Sequence, residues 1–288
     1  MKKRLLMEER QRQTSGSRKR FIGGLLVLVL IVILAGGGLW YRANGQARLD
    51  RTLAKGLELR ESGQYGQAVA LFLNLYEKHP GYQEAPEALY QAAEIQEIYL
   101  RRPAEALLTY LLLERDYPEA QQVAAAQERV AVLYKYRLND CGQAIAAYQK
   151  VLDRSGPEND RLQYEMADCY FRLNNFEQSR IEFENLLNNY PLSDRIAEVQ
   201  YRIAVTYALE GKRPEAAAAY RRVAEDWPDS PYALEARFGL ATVLEEQEEL
   251  REALQILEDL DGIYPKTDIL KKKTDQVRER IDKKKKAI

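Results

Sequence analysis

The sequence predicts an all-α chain: one N-terminal transmembrane helix followed by an α-solenoid of about six helical hairpins. Three observations carry this. Residues 21–41 are free of charge, small and large apolar residues recur at a fixed long period, and prolines punctuate that period without falling inside a helical stripe. Self-similarity at 20–50 residues is the mark of stacked repeat architectures.

The membrane segment comes first in the chain. A run of about 20 apolar residues matches the thickness of a bilayer core, and Phe21 to Tyr41 supplies one, with Trp40 and Tyr41 at its far end where amphipathic rings favour the interface. Eight Lys/Arg against two acids precede it within residues 1–20, whereas only Arg42, Arg48, Arg51 and Lys55 follow closely. The excess of cations before the span places residues 1–20 as a basic cytoplasmic tail and the remainder across the membrane. A bacterial inner-membrane, single-pass protein with an extracytoplasmic or periplasmic repeat region is the expected localisation. A cleaved signal peptide, processed near Ala35 to Gly38, is the competing reading; the long basic region and long apolar run favour an uncleaved anchor.

After a linker at 42–47, the register of residues 48–265 follows from small residues at Ala68, Ala106, Ala144, Ser179, Ala216 and Ala253. Four residues on come Phe72, Tyr110, Tyr148, Phe183, Tyr220 and Leu257; three further on come Leu75, Leu113, Val151, Leu186, Val223 and Leu260. Offsets of four and seven lie on one face of a helix. Twelve after each anchor stands Pro80, Pro118, Gly156, Pro191, Pro228 or Pro265, which stops that helix. A second stripe lies upstream, its small residue twelve before the anchor: Gly56, Ala167, Ala204 and Ala241. In the second and third repeats the small residues are Ala93 and Ala131, thirteen before, so those two inner turns are expected to hold one extra residue. Each unit is helix–turn–helix, and stacking buries what one hairpin exposes. Residues 266–288 supply a capping helix and basic tail.

These residues resemble the tetratricopeptide repeat family. Its order of small residue, aromatic, small residue and proline stands in GQYGQAVALFLNLYEKHP and GKRPEAAAAYRRVAEDWP. YPLSDRIAEVQYRIAVTY and WPDSPYALEARFGLATVL look like the bacterial envelope members, the Tol–Pal partner and the barrel-assembly lipoprotein among them. The chain lacks the trimeric coiled coil of the former and the lipid-bearing cysteine of the latter. The resemblance implies a membrane-anchored scaffold or adaptor for protein–protein interaction in cell-envelope assembly. The alternatives are a fixed structural subunit of a secretion or pilus machine and a chaperone-like translocon-associated factor.

The resemblance also implies a concave groove lined by the first helices. Tyr90, Tyr164, Tyr201 and Phe238 recur there at one register position, and Arg129, Arg161, Arg172 and Arg202 stand on or beside the same face. Two readings stay open. The rings form an aromatic strip for a protein partner, or they pack neighbouring first helices together. Cys141 and Cys169, the chain's two cysteines, fall at helix ends that antiparallel packing brings together, as a disulfide or as two buried thiols.

Composition excludes other classes. One histidine and two cysteines cannot assemble a metal site of three convergent ligands, and the chain has no CxxC or HExxH. No cofactor is expected and no enzyme. Residues 271–288 again hold nine Lys/Arg against three acids, so the −1 total conceals basic ends on an acidic body, a pattern that points away from nucleic acid. The bilayer, through residues 21–41, and a protein in the groove are the expected partners.

Overall fold

The computed structural model describes residues 45–154 and 159–286, and every regular element in them is an α-helix, thirteen among the described residues. The anchor at 21–41 and the basic tail at 1–20 lie outside the described residues. Among those described, no helix is long and apolar enough to cross a membrane. Residues 45–47, expected in the linker, are helical.

The chain divides between Arg102 and Pro103 into two compact units. The first holds α1 (45–61), α2 (Tyr65–Lys78) and α3 (Ala85–Ile98). Ala68, Phe72 and Leu75 of α2 are buried. A Cβ on Gly56 of α1 would stand 2.3 Å from the Phe72 ring, so only glycine lets the helix approach that side chain. Ala88, Leu89, Ala92 and Ala93 form the buried stripe of α3, which packs on α2.

The second unit begins with α4 (Pro103–Asp116), which packs on α5. Four hairpins follow: α5 (Gln122–Tyr136) with α6 (Cys141–Arg154), α7 (Asp160–Arg172) with α8 (Phe176–Asn189), α9 (Ile196–Leu209) with α10 (Arg213–Asp226), and α11 (Pro231–Glu246) with α12 (Leu250–Asp259). The last helix, α13 (Thr267–Lys286), lies against α12. From α4 to α13 each helix packs on the next in the chain, so the core of this unit extends along its helices instead of closing around one centre.

The repeat register is visible in the burial. All six anchors, Ala68 to Ala253, are fully buried, as are Phe72, Tyr110, Tyr148, Phe183 and Leu257 four residues on. The small residues of the first helices, Ala93, Ala131, Ala167, Ala204 and Ala241, are fully buried too, whereas Glu94 and Val132 are not. The extra residue is where the shifted register requires it. Four residues separate α3 from α4 and α5 from α6, against three in the other inner turns.

All six inner turns share one device. The residue two before the second helix takes positive φ: Gly63, Arg101, Asn139, Asn174, Gly211 and Glu248. A left-handed residue reverses the chain after a helix and favours glycine or asparagine; Arg101 and Glu248 depart from that preference. The outer turns use proline. α2, α4, α8 and α10 end two residues before Pro80, Pro118, Pro191 and Pro228. The intervening His79, Tyr190 and Trp227 leave the helical region together, with φ near −130 and ψ near 60, because a proline ring crowds the residue before it. α12 differs: it stops at Asp259, Gly262 has positive φ, and Tyr264 tucks into the core before Pro265.

Candidate functional site

In the second unit the first helices are tied edge to edge by polar groups about one repeat apart. At the α5–α7 joint, Lys135 is fully buried and its Nζ lies 2.6 Å from Glu165 Oε2, 2.8 Å from Asp168 Oδ2 and 3.0 Å from the Glu165 carbonyl oxygen. A buried ammonium has three protons to place, and these three acceptors take them. Asp168 is shared: Arg172 Nε reaches it at 2.9 Å, and Arg202 of α9 pairs with its other oxygen. Tyr136 donates its hydroxyl to Glu165 Oε2 at 2.5 Å, and Arg172 lies over its ring at 5.5 Å.

Electrostatics follow from this geometry. Burial pushes the Asp168 carboxyl up, but the hydrogen bond and charge of Lys135, with Arg202 and Arg172, outweigh it and hold the group below its ordinary value. Burial pulls the Lys135 ammonium down, yet its bonds to Asp168 and Glu165 leave it raised. Opposite charges close together each favour the ionised form of the other. Asp168 and Lys135 therefore hold each other in the charged form.

Tyr164 donates its hydroxyl to Glu198 of α9 at 2.6 Å, packs 5.6 Å from Phe183, and has Arg195 over its ring at 4.9 Å. Burial first, then the bond to Glu198, raises its phenol. Tyr201 sits between Tyr220, at 6.0 Å, and Tyr232 of α11, at 5.6 Å. Phe238 stacks on Tyr264 at 5.0 Å. Arg202 spreads over Phe171 at 4.4 Å, and its Nε is buried with no hydrogen-bond partner among the described residues. Arg161 is exposed and paired with Glu128 of α5; Arg129 is half-buried in α5. Tyr90 is half-buried in α3, in the first unit.

The structure thus brings Tyr164, Arg202 and Arg172 around the Asp168 and Glu198 carboxylates. It sets Tyr201 and Phe238 one and two repeats further on, each seated in a joint. The sides left open to solvent belong to Tyr136, Arg161 and Arg172. Cys141 and Cys169 are free thiols, both buried in the seam between α6 and α7. Among the described residues no group of three or more His, Cys, Asp or Glu is placed to hold a metal ion.

Lys135, Glu165 and Glu198 were not singled out from the sequence, although a signal for such residues exists. Opposite charges recur 33 or 34 residues apart, in Arg60/Glu94, Glu128/Arg161 and Asp168/Arg202. That separation is one helical turn short of the repeat, as pairing between adjacent first helices demands.

Two tetratricopeptide repeat models match the chain, one at residues 53–121 and 129–194, the other at 207–274. The chain belongs to the tetratricopeptide repeat family. No curated protein matches it. Among solved structures, this tetratricopeptide repeat chain is similar to a tetratricopeptide repeat protein from Parabacteroides merdae, at 16% identity and a TM-score of 0.50, over 80% of this chain and 98% of that one. It is similar to a chain in Naa15/Naa10 bound to HypK-THB at 17% identity and TM-score 0.52, over 83% of this chain but 35% of that one. The third is YrrB, described as a tetratricopeptide repeat protein with an unusual peptide-binding site, at 18% identity and TM-score 0.50, over 70% and 97%. At these identities the likeness is one of fold. The tetratricopeptide fold is consistent with a scaffold for protein–protein interaction.

Proposed function

We propose that the protein is a membrane-held scaffold whose tetratricopeptide face captures a protein partner in cell-envelope assembly, with no catalytic step of its own. The observation that carries the reading is the pre-ordered face of α5, α7 and α9. Tyr164, Tyr201 and Arg202 are used in joints that fix the helices, while Tyr136, Arg161 and Arg172 present aromatic and cationic surface outward. A face already ordered loses little side-chain entropy on binding. HypK in one similar structure and the peptide-binding site of another are of the same general kind of ligand, a protein or peptide.

The charge-free run at 21–41 and the cations before it support an uncleaved inner-membrane anchor with the repeats on the far side. Photo-crosslinking residues placed at Tyr136, Arg161 and Arg172 in intact membranes test the face, with Leu192, 94% exposed in the α8–α9 connection, as control. Adducts with one discrete partner at the three sites and none at Leu192 are expected. The same products at all four positions, or none, overturn the assignment. A mature N-terminus near Gly37 overturns the anchor without touching the face.

A further inference from the structure

We propose that Cys141 and Cys169 form an intramolecular disulfide that staples α6 to α7, joining the third repeat to the fourth. The geometry of the seam carries it, and the enclosure of the two thiols supports it. α6 and α7 are successive packed helices, and short connections make such neighbours antiparallel. Down α6 the buried stripe reads Cys141, Ala144, Tyr148; back along α7 it reads Cys169, Met166, Leu162. Both stripes step by three and then four residues, so the members meet in order, with cysteine level with cysteine. All six belong to one buried cluster.

Burial pushes the Cys169 thiol up to about 12, the charge of Lys135 draws it back, and the neighbouring Cys141 thiol raises it further. Cys169 is fully enclosed, whereas Cys141, the first residue of α6, keeps 7% of its surface. The outer thiol therefore meets the reagent, and the inner one resolves.

The oxidant is a second disulfide, written R–S–S–R, of the small-molecule or dithiol-oxidase class. The Cys141 thiolate attacks one sulfur of R–S–S–R. A Cys141–S–S–R bond forms, and R–S⁻ leaves and takes up a proton. The Cys169 thiolate, its proton released to solvent, then attacks the Cys141 sulfur and expels the second R–S⁻, which is protonated in turn. The cysteine pair loses two electrons and two protons, and R–S–S–R gains both as two thiols. The enclosed Cys169 reacts as the α6–α7 seam opens transiently or while the chain folds, since a protonated thiol is no nucleophile. A bridge in this place holds Asp168, the neighbour of Cys169, at the centre of its network with Lys135 and Arg202.

The test uses the full chain in detergent, treated with oxidised glutathione or with excess dithiothreitol, quenched by alkylation in denaturant and digested with trypsin. Oxidised protein is expected to yield peptide 138–150 joined to peptide 162–172, lighter by two hydrogens than the pair and separated by reduction. The thermal transition should rise on oxidation and stay fixed in Cys141→Ser. Cys169→Ser should halt at a stable glutathione adduct on Cys141. Two alkylated thiols after oxidation, separate glutathione adducts on both cysteines, or crosslinks only between chains would each overturn the proposal. The readout is covalent and involves no partner, so failure of partner capture leaves it unaffected.

Discussion

Six backbone positions with positive φ set the inner turns, and two of them are filled against preference. Arg101 has φ 54 and Glu248 φ 65. A left-handed conformation costs a residue with a Cβ about 1 kcal/mol relative to glycine. Glu248 recovers some of this through Arg280 and Lys284. Arg101→Gly should therefore raise stability by about 1 kcal/mol in urea denaturation, with the slope unchanged. Loss of stability would show that the arginine side chain contributes more than its backbone costs. Gly56 is the opposite case. Its helical backbone suits any residue, and it is the Phe72 ring that forbids a Cβ there.

Among elements, the joints between first helices depend on charge as much as on rings. Asp168 and Glu245 both have carboxyls held below their ordinary values: burial opposes this, but Lys135 at one and Lys273 with Arg280 at the other outweigh it. A carboxylate depressed in the folded state contributes stability above its unfolded value of about 4, and that contribution is lost as pH falls through the folded value. Asp168→Asn should accordingly flatten the acid side of the melting profile below about pH 4, while costing stability at neutral pH because Lys135 stays buried. A profile parallel to that of the parent protein would mean that Asp168 does not hold the network. The aromatic rows serve the same joints. Tyr164 reaches Glu198, Tyr201 reaches Tyr232, and Tyr264 donates to Glu235 at 2.8 Å. Tyr164 and Tyr201 are thus each engaged with the next first helix, α9 and α11 respectively.

At the scale of the molecule, an array needs an end. α13 puts Leu270 and Val277 into the last apolar cluster and surrounds the nearly buried Glu245 with Lys273, Gln276 and Arg280 at 2.5, 2.9 and 3.0 Å. Its last turn carries Lys283 to Lys286, and Lys284 lies 2.6 Å from Glu248, so this stretch is helical through Lys286. Removing residues 267–288 should cost on the order of 4 kcal/mol through the two apolar side chains alone. It should also uncover Glu245 and the last apolar cluster and so favour self-association. A truncated chain that melts like the full one and stays monodisperse would mean the array ends at α12.

Much of this was legible in order along the chain. The anchors Ala68 to Ala253, their aromatic partners and the prolines encode a local rule repeated six times, and short-range rules survive without knowledge of the fold. Even the extra residue in two inner turns followed from Ala93 and Ala131. The joints were not legible in this way. Lys135 reads as an ordinary surface lysine until α7 is laid beside α5, because its acceptors lie about 30 residues away. The sequence by itself determined the helices and their buried stripes, since helix periodicity and proline stops act within one repeat. Only the tertiary structure decided which polar groups on adjacent first helices meet and which rings are enclosed. Those outcomes depend on how neighbouring helices are offset, a property of packing that no single repeat contains.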